Sequence, residues 1–94
     1  MTTAPFEIDT TFTATITTEP NSGWTCVVMP RSGEFFGTRK AVKVSGLIDG
    51  HSFDATLLPI GDGTHMVPLN AALRRTVDKG IGDTATVELR RRRS

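Results

Sequence analysis

Cysteine occurs once in the 94-residue chain, tryptophan once and tyrosine not at all. A single cysteine excludes an internal disulfide, and with it the stapled architecture of small secreted domains. No apolar run approaches the ~18 residues of a membrane-spanning helix. The opening Met1-Thr2-Thr3-Ala4-Pro5 carries neither the basic start nor the apolar stretch of a secretory signal. A cytoplasmic protein without membrane partners is therefore the expectation. With five Phe and one Trp as the whole aromatic complement, little is left for the stacking platforms of single-strand binders. Charge of one sign is scarce as well: eleven Lys and Arg against ten Asp and Glu give a net +1. That balance conceals an asymmetry, because Arg90, Arg91, Arg92 and Arg93 are consecutive and the remainder of the chain carries −3.

Threonine is what the chain has in excess, at fifteen residues, and β-branched side chains fit the pleated face of a strand better than a helix. Residues 6–17 alternate strictly, with Phe6, Ile8, Thr10, Phe12, Ala14 and Ile16 on the even, inward face. Further strands are predicted over 24–29, ended by Pro30, and over 40–48, 51–58, 65–67 and 84–89. Asp49-Gly50 between two of them is a type I′ hairpin signal. One short helix is predicted near 70–79, with Asn70 as cap, Leu69, Leu73 and Val77 as its apolar stripe and Gly80 as its stop. The segment 31–40 allows at most one helical turn. A strand–proline–irregular–strand pattern starting at Trp24 is echoed from His65 onward, which suggests a pseudo-twofold. The expectation is a mainly β, compact six-stranded barrel of residues 6–89, with a flexible N-terminus (1–5) and a basic tail (90–94). A five-stranded OB-like barrel is the structural alternative.

A string of separate motifs also carries a family resemblance. Trp24-Thr25-Cys26-Val27-Val28-Met29-Pro30 is followed by Phe35-Phe36-Gly37-Thr38-Arg39, then by residues 42–50 and Phe53. Pro59, Gly61-Asp62-Gly63-Thr64-His65-Met66, Leu69-Asn70, Ala72-Leu73-Arg74, Gly82-Asp83 and Val87 complete the string. In this the chain resembles the bacterial family known as domain of unknown function nineteen-oh-five. The resemblance implies a double-split β-barrel whose architecture is shared with the AbrB and MazE type of dimeric barrel, one chain here supplying both halves. It implies no catalytic residues. Monomer and homodimer both remain open.

No pattern of nucleophile, metal set or paired acids emerges. Cys26 sits mid-strand among apolar neighbours, where a cysteine is an inert small hydrophobe. His51 and Asp54 differ in parity and face opposite sides of a strand. His51, His65 and Cys26 lack the spacing of a metal site, so no metal or cofactor is expected. An enzyme would require His51, His65, Asp62 and Cys26 to converge. Phe35 and Phe36 are expected to plug one barrel end, with one ring outward. A ligand site over a barrel end would draw on Arg39, Asp62, His65 and Arg74. Gly61 and Gly63 there serve either a backbone bend or an anion nest. A nucleic-acid face would use Arg75 together with Arg90, Arg91, Arg92 and Arg93. Four such charges meeting duplex phosphate give a salt slope of about −3.6, which is weak and non-specific binding. The functional expectation is a non-catalytic module binding a small molecule or protein. Weak nucleic-acid association and an unrecognised enzyme site are the alternatives.

Overall fold

The structure, a computed structural model, describes residues 7–93. The expected flexible N-terminus (1–5), Phe6 and Ser94 lie outside the described residues. The chain forms β1 (Glu7–Thr15), β2 (Thr17–Thr18), β3 (Thr25–Met29), α1 (Ser32–Phe36), β4 (Val42–Ile48), β5 (His51–Pro59), β6 (His65–Pro68), α2 (Ala71–Val77) and β7 (Thr84–Arg92). The result is a mainly β, antiparallel, curled sheet, a half-barrel with two short helices.

Among the described residues seven strands stand where six are predicted, because the first run breaks at Ile16. That residue is fully buried, its amide donates to the Asp83 carbonyl (2.8 Å), and its carbonyl accepts from the Gly82 amide (2.9 Å). Before the break the run pairs with β7, and after it with β3. The strand order is β1-β7-β4-β5-β6-β3-β2, so one bent run of chain borders both ends of the sheet. β5 turns the opposite corner, pairing with β4 over most of its length and with β6 at Leu58 and Pro59.

These pairings obey a pseudo-twofold. The run β1-β2-β3-α1-β4 maps onto β5-β6-α2-β7, with β3 against β6 and β4 against β7 across the axis. The same relation is written in residues that period-2 reading passes over. Phe12-Thr13-Ala14-Thr15 recurs as Phe53-Asp54-Ala55-Thr56, 41 positions on. Val42, Val44 and Ile48 of β4, Phe53 and Leu57 of β5, and Ala85, Val87 and Leu89 of β7 point into one core. Each fully buried Val, Leu or Ile contributes about 1.5–3 kcal/mol by leaving water. β6 is buried along His65, Met66 and Val67, as suits a strand covered on both faces.

The turn chemistry is local. Asp49 and Gly50 both have positive φ (47° and 84°), the requirement of a type I′ turn. The Asp49 carboxylate accepts from the Thr86 amide (2.9 Å) and pairs with Lys79 (2.7 Å), tying this hairpin to β7. The Asn70 side chain caps α2 by accepting from the Leu73 amide (2.8 Å). α2 ends at Val77, earlier than a Gly80 stop, because Asp78 takes the left-handed conformation (φ 56°) that closes the helix. Phe36 is buried and Phe35 half-exposed, the two rings meeting edge to face at 5.0 Å.

The barrel does not end at Leu89. Arg90, Arg91 and Arg92 belong to β7, with Arg91 opposite Ser45 and Arg92 opposite Val44, and the Arg93 amide donates to the Lys43 carbonyl (2.6 Å). Arg90 is the extra residue of a bulge, which bends β7 where Gly46 of β4 crosses it. A Cβ on Gly46 would run into the Glu88 carbonyl oxygen. Gly46→Ala is therefore expected to destabilise the protein by about 1–3 kcal/mol. Gly80→Ala, which meets open space at an ordinary φ, should stay within about 0.5 kcal/mol of the parent. Urea titration of the two variants checks the contrast.

Candidate functional site

The segment between β3 and β4 folds against the turn between β5 and β6. Arg31 opens it with a left-handed conformation (φ 56°), and α1 closes on Gly37 (φ 68°). The Gly33 amide donates to the Gly63 carbonyl (2.9 Å), and only glycine at 33 permits this approach, because a Cβ would strike that same oxygen. Asp62 shapes the other wall. Its Oδ1 accepts from the Thr64 amide (2.9 Å) and from the Thr64 hydroxyl. Those two hydrogen bonds, the hydroxyl's first, hold the Asp62 carboxyl below its ordinary range. Between the walls lies a cleft of about 680 Å³ bordered by Arg31, Glu34, Thr38, Arg39, Asp62 and Thr64.

His65 lies under this cleft and does not enter it: it is fully buried. Nε2 meets the Lys40 carbonyl oxygen at 2.8 Å, and Nδ1 meets the Ser32 hydroxyl at 2.7 Å. A carbonyl only accepts, so Nε2 carries a proton, and in the neutral ring Nδ1 accepts from Ser32. Ser32 is fully buried too, so this serine–histidine pair presents no nucleophile to a substrate. It is a brace: one imidazole fixes both ends of the 31–40 segment on β6. Phe36 packs on the same ring edge to face at 5.8 Å.

Of the four ligand residues expected from sequence, Arg39 and Asp62 share the cleft and His65 is buried beneath it. Arg74 is elsewhere, on α2, where it borders a second cleft of about 420 Å³ with Trp24, Thr25, Pro68, Leu69 and Asn70. Arg75 is exposed on the same helix. The candidate catalytic set stays scattered. Cys26 is fully buried, its thiol pushed up by desolvation, and His51 is exposed beside the β4–β5 hairpin. Among the described residues no three His, Cys, Asp or Glu side chains gather into a metal-holding group, and no helix is long and apolar enough to cross a membrane.

The arginine run has fixed duties. Arg90 pairs with Glu88. Arg92 donates to the Phe36 carbonyl (3.1 Å) and lies 5.5 Å over the Phe36 ring, so β7 holds down the end of α1. A free four-charge tail, the premise of the nucleic-acid expectation, is thereby replaced by a strand end with Arg91 and Arg93 exposed. Sequence reading missed Arg31, Ser32 and Trp24. The strand predicted over 24–29 would begin at Trp24, but Trp24 precedes β3 and is 51% exposed. A turn signal could have placed it, because the Gly23 φ of 74° is what lifts it off the strand.

That turn is built around Glu19, which is buried. Its carboxylate accepts from the amides of Asn21 (3.1 Å) and Ser22 (2.7 Å), and these bonds hold its carboxyl below the ordinary range. A depressed folded-state value contributes stability above the unfolded value of about 4.3, and that contribution is lost as pH falls through the folded value. Glu19→Gln should thus lower the melting temperature at pH 7 and flatten its decline below about pH 4, as read by thermal melts across pH. Ser32→Ala leaves the buried His65 Nδ1 without its partner and should cost about 1–3 kcal/mol in chemical denaturation.

Residues 12–89 match the model of a family described as a domain of unknown function, DUF1905. That span is most of the chain, and the protein belongs to this family. No curated protein matches it.

Proposed function

We propose that this DUF1905 domain is a non-catalytic binding module whose first cleft, between α1 and the 61–64 turn, holds a small anionic ligand. The observation that carries the reading is the pair of guanidiniums at its mouth. Arg31 and Arg39 are both exposed and both border the cleft. Among the described residues neither guanidinium has an ion pair or hydrogen bond, although Glu34 borders the same space. Asp62, the other carboxylate there, is already engaged by Thr64. Planar guanidiniums pair bidentately with carboxylate or phosphate. The walls are preformed: the Gly33–Gly63 hydrogen bond, the Ser32–His65 brace and the Arg92 contact to Phe36 fix the backbone around the cleft, so little ordering cost attends binding. Arg31 keeps a left-handed backbone that a glycine would adopt more readily, and such positions cluster at binding sites.

Isothermal titration with inorganic phosphate, succinate and adenosine diphosphate tests the proposal. Binding of at least one is expected, weakening as salt is raised because the arginines are exposed. Arg31→Gln and Arg39→Gln should each weaken it about 3- to 10-fold, the scale of one charge-assisted hydrogen bond. An absence of binding across this panel, or binding untouched by both substitutions, overturns the reading.

A further inference from the structure

We infer that the second cleft, beside α2, is a separate binding site for a flat ring bearing an anionic group. It is the pseudo-twofold counterpart of the first. One cleft lies between the turn before β6 and the helix after β3; the other lies between the turn before β3 and the helix after β6. The side chains differ sharply. Where the second half of the chain places the buried His65, the first half places Trp24, 41 positions earlier and half-exposed.

Four features specify the ligand. Trp24 offers a ring face with a fixed backbone: its carbonyl accepts from the Glu19 amide (2.9 Å), and its own amide donates to the Ser22 hydroxyl (3.2 Å). Leu69, buried, and Pro68, half-buried, supply apolar walls. The Arg74 Nε is buried with no hydrogen-bond partner among the described residues, a donor removed from water and left unsatisfied. Finally, among the described residues no acidic side chain borders this cleft, in contrast to the first. Asn70 spends its Oδ1 on the Leu73 amide, which leaves the Nδ2 hydrogens as further donors. On its other side Arg74 borders a hollow with Asp78 and Asp83, yet pairs with neither; Asp83 Oδ2 accepts from the Gly80 amide (2.9 Å). An aromatic face, apolar walls and donors without a charged acceptor suit a ring that stacks on Trp24 while its anionic group meets Arg74 and Asn70. A volume of about 420 Å³ fits a small metabolite and is within the usual range of ligand sites. An aryl carboxylate and a nucleoside monophosphate share this chemistry.

The protein reports on the site by itself, since Trp24 is its one tryptophan and tyrosine is absent. Tryptophan emission would be followed during titration with benzoate and with adenosine monophosphate, each against its uncharged counterpart, benzyl alcohol and adenosine. A saturable change is expected with at least one anion, half-maximal at or below about 1 mM, with the counterpart at least about 10-fold weaker. Which anion saturates distinguishes the two sources. Arg74→Gln should weaken the anion about 10-fold or more and leave the uncharged ring unchanged. Asn70→Asp keeps the carboxylate oxygen that caps α2 while replacing the Nδ2 donors by a negative charge, and it should abolish the anion response in a protein that still melts cooperatively. Arg31→Gln and Arg39→Gln should leave the titration unchanged, which separates this site from the first cleft. No saturable change with either anion, equal affinity for the uncharged rings, or indifference to both Arg74→Gln and Asn70→Asp would overturn the inference.

Discussion

Everything in this small protein hangs on two strands that each serve two neighbours. The first run pairs with β7, bends at Ile16 and then pairs with β3; β5 pairs with β4 and then with β6. A flat sheet of this length would expose two edges and one apolar face to water. Bending two strands lets the same sheet curl over its own inward rows, so that Val44, Ile48, Leu57, Val87 and Leu89 lose all solvent contact. The bends are local in origin. Ile16 trades its ladder partners for the Asp83 carbonyl and the Gly82 amide, and the Arg90 bulge turns β7 where Gly46 gives way.

Curling in this fashion leaves each helix stretched across a corner, and each corner leaves a hollow. The two hollows share a backbone plan and differ in side chains. In one, His65 is driven into the interior and becomes a brace between Ser32 and the Lys40 carbonyl. In the other, the equivalent position is Trp24, lifted outward by a turn that the Glu19 carboxylate holds closed. One scaffold thereby supports a mouth lined by exposed arginines and another lined by an aromatic ring.

The inward rows were legible because period-2 alternation is a direct image of the pleat: Phe12, Ala14, Phe53, Leu57, Val87 and Leu89 all fall where their parity puts them. Asp49-Gly50 and the Asn70 cap were legible because their chemistry is confined to a few consecutive residues. The break at Ile16 was not, since it depends on partners 66 and 67 positions away, Gly82 and Asp83. The arginine run misled for a related reason. A charge cluster near a chain end reads as solvated, whereas here Ser45, Val44 and the Phe36 carbonyl receive it. Of the candidate site, Arg39 and Asp62 could be named from their turn context. Arg31 could not, because what sets its guanidinium at the cleft mouth is a left-handed backbone angle at a non-glycine residue, which no sequence pattern announces.

The pseudo-twofold has a kinetic consequence. Its two halves, β1 through α1 to β4 and β5 through α2 to β7, are not lobes lying side by side. Of the six strand pairings among the described residues, only β2 with β3 and β5 with β6 stay within one half. The other four join one half to the other, and among them only the β4–β5 hairpin is local in sequence. Neither half can assemble its sheet alone, so the chain must close its longest loops before most of its contacts reward it. That is the signature of high contact order and of slow, all-or-none folding.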